Sequence, residues 1–287
     1  MTEPTAAAAA TSAAPDPRTA EQDRVVGLLG REWSAIADLL AGLDEDAWSR
    51  PALPGWDVHD VIGHLIGTER TLAGAQHPDI PADGECGEHV RNDIGRVNEA
   101  WIVALRDRPP ADLLADFRAI TAERLASLRA MTAEEFNAPS WTPAGQATYA
   151  RFMQIRIFDC WMHEQDIRAA VAIPGHEGGP EAEQALEEVI AAIGYIVGKR
   201  GRAPDGSSVR IRLTGPVERD LHVVVDGRAR PVEAINGEPT ASLALSSSLF
   251  MRLAGGREDA EAALGRIELG GDLALARQLA TNLAYTI

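Results

Sequence analysis

Apolar residues recur at helical spacing over residues 21–43, EQDRVVGLLGREWSAIADLLAGL, where Val26, Leu29, Trp33, Ile36 and Leu40 share one face. The pattern resumes beyond a Pro/Gly-rich loop with Val58, Val61, Ile62 and Leu65. Asp57 precedes that stripe as a helix N-cap, since its carboxylate can accept from the free backbone N–H groups of a first turn. Further helices are predicted over residues 90–105, ended by RDRPP, and over residues 111–129. Pro110 falls where a first turn has no need of its missing N–H. After the loop NAPSWTPAGQ the spacing predicts a long helix over about residues 147–171. Helices joined by loops of this length predict an antiparallel bundle.

The segment AIPGHEGGP breaks the pattern, and a domain boundary is placed there, at residue 175. One more helix is predicted from EAEQALEEVIAAIGYIVGKR. The texture then changes: SVRIRLTG and DLHVVVDG alternate apolar and polar residues around a short turn, which predicts a hairpin. ARPVEAING and ASLALS read as further short strands. SSLFMRLAGG and DLALARQLATNLAYTI read as closing helices, the last capped by Asp272. The second half is therefore expected to be α+β, a small antiparallel sheet with helices packed on it. The division is a disordered tail over residues 1–19, a helical bundle over 20–175 and an α+β domain over 176–287. The tail is rich in Ala, Pro and Thr and has no basic stretch ahead of its apolar residues, so it is not read as a signal peptide.

Composition narrows the partners. The chain has 287 residues, 45% of them hydrophobic, enough for a real core, and a net charge of -16. Nucleic acid is excluded as an expected partner because phosphate binding needs a basic face, and an anionic membrane surface for the same reason. No apolar run approaches the roughly 20 residues that span a bilayer. Cys86 and Cys160 are the only cysteines and make no disulfide framework. A reduced, cytoplasmic location is expected, as a monomer or homodimer.

Candidate chemistry sits in RIFDCWMHEQDIRAAV. Asp159, His163 and Asp166 follow one another at spacings of four and three, so they project from one helix face. His64, mid-helix in DVIGHLIGTE, has Asp60 one turn before it. Spacing alone leaves two readings: solvated pairs and a core histidine, or ligands. Two inward-facing helices can supply His64, Asp159 and His163 as two nitrogens and one oxygen with a fourth position open, the usual catalytic zinc arrangement. Fe(II) or Ni(II) suits the same ligand types.

The text LPGWDVHDVIGHL, followed about a hundred residues later by RIFDCWMHEQDIRAAV, resembles the mycothiol-dependent maleylpyruvate isomerase family, within the DinB-like group of metal-binding four-helix bundles. The resemblance implies a DinB-like up-down bundle with His64, Asp159 and His163 as metal ligands, followed by a small sterol-carrier-like α+β domain. The chain departs from the family in two places. Asp159 stands where the isomerase has Glu, one methylene longer. HEQD stands where the family often reads HGWD, which adds Glu164; this residue points about 100° away from His163 and is read as solvated or interdomain.

The resemblance further implies chemistry with a low-molecular-weight thiol, mycothiol, attacking a small electrophilic substrate in an isomerase or S-transferase reaction. Asp166 is then a group that orients His163 or, in a second role, a general base. Asp60 is expected to orient His64, or Asp60 and Asp166 to pair with a nearby arginine such as Arg156 or Arg168. Arg257, in RLAGGRED, matches a C-terminal-domain arginine that binds anionic substrate or thiol. A metal-dependent hydrolase, and a non-enzymatic binder of small ligands with a structural metal, stand as alternatives.

Overall fold

The computed structural model describes residues 16–80 and 86–286. Its first half carries α1 (Pro17–Ala41), β1 (Pro51–Leu53), β2 (Trp56–Asp57), α2 (Val58–Leu72), α3 (Asp93–Leu105), α4 (Pro110–Ala130), the single turn α5 (Ala133–Phe136), β3 (Pro139–Thr142), β4 (Gly145–Thr148) and α6 (Tyr149–Val171). The second half carries α7 (Pro180–Ala191), α8 (Ile193–Tyr195), β5 (Ser208–Thr214), β6 (Arg219–Asp226), β7 (Arg228–Val232), β8 (Ala241–Ser246), α9 (Ser247–Ala254), α10 (Ala260–Ala263), β9 (Glu268–Gly271) and α11 (Leu273–Ala280). No helix among the described residues is long and apolar enough to cross a membrane.

The expected stripes point inward. Leu29, Ile36, Val58, Val61, Ile62 and Leu65 have no exposed surface. α1 and α2 each pack on both α4 and α6 and lie across the bundle from one another, with α3 on the flank of α2. This arrangement lets α2 and α6 face each other although some ninety residues separate them.

Several boundaries differ from expectation for local reasons. The tail expected over residues 1–19 lies outside the described residues as far as residue 15. Its last residues belong to α1, because Asp16 accepts from Arg18 N at 2.9 Å and Pro17 occupies the first turn. The segment NAPSWTPAGQ, expected as a loop, begins the β3–β4 hairpin, whose turn uses Gly145 at φ +104°. Asp57 caps α2 as expected, and Asp60 closes a reciprocal capping box with it.

The second half has its own core around alternating strand residues: Val209, Ile211 and Leu213 of β5, and Ala241, Leu243 and Leu245 of β8. Trp161 and Met162 of α6 project into this core and join it to the bundle. The sheet has five strands in the order β7-β6-β5-β8-β9. It was expected to be antiparallel; it is mixed, because β5 and β8 run parallel. β7 ends at Val232, opposite His222, close to the level where Ala241 begins β8 opposite Val209. The link over residues 233–240 therefore only has to cross the sheet sideways, about 14 Å for three strand spacings. β9, a four-residue edge strand ending in glycines, shows too little alternation to be read from the sequence.

Candidate active site

The β1–β2 ribbon turns at Gly55, with φ +84°, where a Cβ would lie 2.3 Å from His89 Nδ1. Only glycine fits this close approach. The turn carries Trp56 into the bundle mouth and delivers the chain to the Asp57 cap, and two turns along α2 His64 faces inward, 6% exposed. Trp56 lies over both histidines, its ring centroid 5.4 Å from that of His64 and 6.2 Å from that of His163. Its indole Nε1 donates to Glu99 Oε2 at 3.2 Å, and His89 Nε2 lies at the same distance from that oxygen.

From α6, Asp159 and His163 meet His64. Asp159 Oδ2 lies 3.4 Å from His64 Nε2, and Asp159 Oδ1 lies 3.7 Å from His163 Nε2. The imidazole centroids are 4.9 Å apart. One ligand atom from each of the three residues lies within 4.8 Å of the others. The approaches are out of line for hydrogen bonds: both ring nitrogens of His64 and Nδ1 of His163 are buried without a hydrogen-bond partner among the described residues. Buried polar atoms are seldom left so. Asp159 is half-buried and is the side on which the cluster opens.

The surroundings set the charge states. Burial pushes the His64 imidazole down, against the pull of Asp159, and so favours its neutral, lone-pair form. Burial alone would raise the Asp159 carboxyl, but the guanidinium of Arg156, then His64 and His163, hold it well below the usual carboxylate range. Arg156, one turn earlier on α6, donates to Asp159 and to Glu69 Oε1 at 3.0 Å. Glu69 also accepts from Arg124 Nε at 3.0 Å, and all three side chains of this Arg–Glu–Arg set are under 6% exposed. Burial pushes the Cys160 thiol up, so it is no nucleophile.

Asp166 and Arg257 also meet. Arg257 spans the two halves of the chain, Nε and Nη2 reaching Asp166 Oδ1 and Oδ2 at 3.4 and 3.3 Å. Asp166 Oδ2 is 3.2 Å from His163 Nδ1, though off line. Beside this pair is a cleft of about 260 Å³ lined by Trp161, Met162, Asp166, Met251, Arg252 and Arg257. It meets the histidine cluster through Asp166 and Arg257 rather than through the imidazoles.

Asp60 does not orient His64: it is taken up by the α2 cap and by Arg106 Nε at 3.2 Å. Glu164 is fully buried at the junction of the two halves, so the solvated reading of it fails and the interdomain one stands. Sequence reasoning gave no role to Trp56, Glu69 or Arg124, and it offered Arg156 as a partner of Asp166 or Asp60, whereas Arg156 holds Asp159 and Glu69. Glu69 had a signal, since it falls one turn beyond Leu65 on the apolar stripe of α2.

Fold and site thus define a class: a helical bundle with an inward cluster of two imidazoles and one carboxylate, joined to a small α+β domain. Residues 29–168 match the model of the mycothiol maleylpyruvate isomerase N-terminal domain, and residues 183–278 match that of the MDMPI C-terminal domain. The chain belongs to the mycothiol-dependent maleylpyruvate isomerase family. It is 28% identical over 139 residues to an uncharacterized protein of Mycobacterium tuberculosis, present in strains CDC 1551 and H37Rv; the match takes in 47% of the chain and 51% of that protein. The chain thus spans about half the length of the curated relatives it matches. A crystal structure of the mycothiol-dependent maleylpyruvate isomerase superposes with a TM-score of 0.54 at 16% identity, covering 83% of the chain and 90% of that protein. A variant of that enzyme with one histidine replaced by alanine gives 0.53 at 16% identity, covering 87% and 92%.

Proposed function

We propose that the protein is a metal-dependent enzyme that uses mycothiol, as an isomerase or S-transferase acting on a small electrophile of the maleylpyruvate kind. The observation that carries this reading is the meeting of His64, Asp159 and His163 with buried ring nitrogens that lack partners. Such orphaned lone pairs cost stability unless something accepts them. One donor atom from each residue lies within 4.8 Å of the others, and the 3.4 Å between Asp159 Oδ2 and His64 Nε2 is near the edge of a tetrahedron of about 2 Å bonds, roughly 3.3 Å. Asp159, although one methylene shorter than Glu, reaches far enough to serve as a direct ligand.

In this reading His64, Asp159 and His163 hold Zn²⁺. A bound zinc with an open position lowers the pKa of a thiol and keeps it as thiolate at neutral pH. The residues do the rest. Trp56 covers the imidazoles and keeps water from their inner face. Arg156 fixes the Asp159 carboxylate, as partners behind metal ligands commonly do. Asp166 steers His163 from its Nδ1 side and anchors Arg257. Arg257 then presents its charge at the cleft, where an anionic substrate or thiol would bind. The bundle, residues 20–175, supplies the metal ligands, and residues 176–287 supply the arginine wall.

The test has two parts. Plasma emission analysis of the purified chain should find stoichiometric zinc at this site, lost in His163→Ala. Incubation with mycothiol and maleylpyruvate, or with another electrophile, should then give thiol-dependent turnover. Metal-dependent hydrolysis without thiol would overturn the thiol assignment, and an unchanged metal content in His163→Ala would overturn the site.

A further inference from the structure

Back to back with the His163 face, α6 presents Glu164 to a second cluster. We propose that Glu32, Glu164 and His176 form a separate site for a divalent transition cation at the junction between the bundle and the second half. The three residues come from α1, from α6 and from the link over residues 172–179, and one ligand atom from each lies within 4.8 Å of the others.

Glu32 is the observation that asks for a ligand. Its side chain has no exposed surface, and neither carboxylate oxygen has a hydrogen-bond partner among the described residues. Oε2 points at the cluster, 3.9 Å from His176 Nδ1. An unpartnered carboxylate so far from water is expensive to keep.

The other two donors are held in place from behind. Arg168 Nε and Nη2 bind Glu164 Oε1 at 2.8 and 2.7 Å, while Oε2 turns to the cluster and shares a hydrogen bond with His176 Nδ1 at 2.5 Å, whose proton a cation would displace. His176 Nε2 faces Glu181 Oε2 at 3.7 Å, the carboxylate–imidazole arrangement that commonly backs a ligating histidine. The backbone of His176 sits in the left-handed region at φ +56°, and its carbonyl accepts from Trp161 Nε1 at 3.0 Å and from Gln165 Nε2 at 3.4 Å. The link is thus tied to α6 in the conformation that turns the imidazole inward.

Charge agrees. Arg168 balances Glu164, and Arg31 Nε balances Glu181 Oε1 at 2.7 Å. Glu32 is left without a partner of its own. Burial, and then the facing charge of Glu164, push its carboxyl up, and Arg168 only partly offsets them. Two carboxylates and one imidazole suit Zn²⁺ or Mn²⁺. Such a cation would clamp the link between the two halves.

The proposal does not depend on the His64–Asp159–His163 reading, and the experiment separates them. The full chain, stripped with chelator, is titrated with ZnCl₂ and with MnCl₂ by calorimetry, and metal content is measured after dialysis. Glu32→Gln is isosteric and removes a buried charge, so it should fold. It should bind one equivalent fewer than the wild type, and His176→Ala should do the same. His64→Gln/His163→Gln should retain one equivalent, with affinity reduced at least tenfold when Glu32→Gln is added. Loss of metal from His64→Gln alone, with Glu32→Gln unchanged from wild type, overturns this proposal and leaves the first site standing. A Glu32→Gln chain that melts higher yet binds as much metal as the wild type also overturns it.

Discussion

Arg156 holds Asp159: its guanidinium, 3% exposed, donates to the carboxylate one turn ahead while a second face of it grips Glu69. The carboxylate of the candidate site is therefore fixed from inside the bundle. Glu69 and Arg124 complete a chain of buried charges joining α2, α4 and α6. Removing one member of a buried ionic set strands its partner, at a cost of roughly 3–5 kcal/mol. Arg156→Leu is expected to lower stability by about 3 kcal/mol, somewhat softened because Glu69 keeps Arg124. Urea denaturation reads this directly. A midpoint equal to the wild type would show that the set adds nothing to stability.

Acid should act on the two histidines with opposite signs. In chelator-treated protein, burial keeps the His64 imidazole below its ordinary value of 6.5, so unfolding takes up a proton under acid conditions. Its contribution is present above 6.5 and is lost as pH falls from there through the folded value. The hydrogen bond to Glu164 holds His176 above 6.5, so its contribution is full below 6.5 and is lost as pH rises through the folded value. Urea midpoints at about pH 5.5, 7 and 8.5 should show His64→Gln losing less stability than the wild type on acidification. His176→Gln should lose less on the alkaline side. A His64→Gln profile parallel to the wild type from neutral to acid would sink the first assignment.

The two thiols should part company under labelling. Cys160 is fully buried on α6 with its thiol pushed up by burial, and it lies 3.5 Å from Arg156 Nη2. Cys86 is partly exposed. The thiolate is the reactive form, and Cys160 offers neither thiolate nor access. Native protein treated with a thiol-specific reagent should therefore be labelled at Cys86 alone, and Cys160 should react only in denaturant. Mass spectrometry of the labelled peptides decides it. Labelling of Cys160 in the native state would mean that α6 opens far more readily than its packing implies.

What was legible in the sequence followed from periodicity and one-turn spacing. Val58, Val61, Ile62 and Leu65 named the inner face of α2, and the Asp159–His163 step named the face of α6 that meets it. The alternation in SVRIRLTG and ASLALS found β5 and β8. It could not give their parallel pairing, which depends on where β7 stops. The hairpins at residues 51–57 and 139–148 were too short to show alternation. The cluster of Glu32, Glu164 and His176 escaped for another reason. Spacing rules reach one helical turn, whereas these residues come from three segments joined only by the packing of α1 on α6 and the turn after α6. A buried charge leaves one local trace, a Glu on an apolar stripe, and both Glu32 and Glu69 carry it.

The bond between Asp166 and Arg257 invites the sharpest separation of roles. It is bidentate, joins the two halves of the chain, and sits between His163 and the cleft. A purely structural tie would show itself in stability and leave turnover alone. The proposed role makes the opposite demand. Arg257 is 17% exposed at its side chain, so its charge is available to an anionic ligand, while Asp166 beneath it is buried. Arg257→Lys keeps the charge but loses the planar fork that grips a carboxylate. Because the positive charge stays beside Asp166, it should lower the stability read from urea denaturation by no more than about 1 kcal/mol. In the thiol-dependent assay it should raise KM several-fold with kcat nearly unchanged, the pattern of lost uniform binding. Asp166→Asn, isosteric, removes the charge facing His163 Nδ1. It should lower kcat as well, and lower metal affinity by about 10–100-fold, because partners behind metal ligands act through the ligand. If both variants lose stability alike while KM, kcat and metal affinity stay at wild-type values, the pair is a fastener between domains and the arginine wall lies elsewhere.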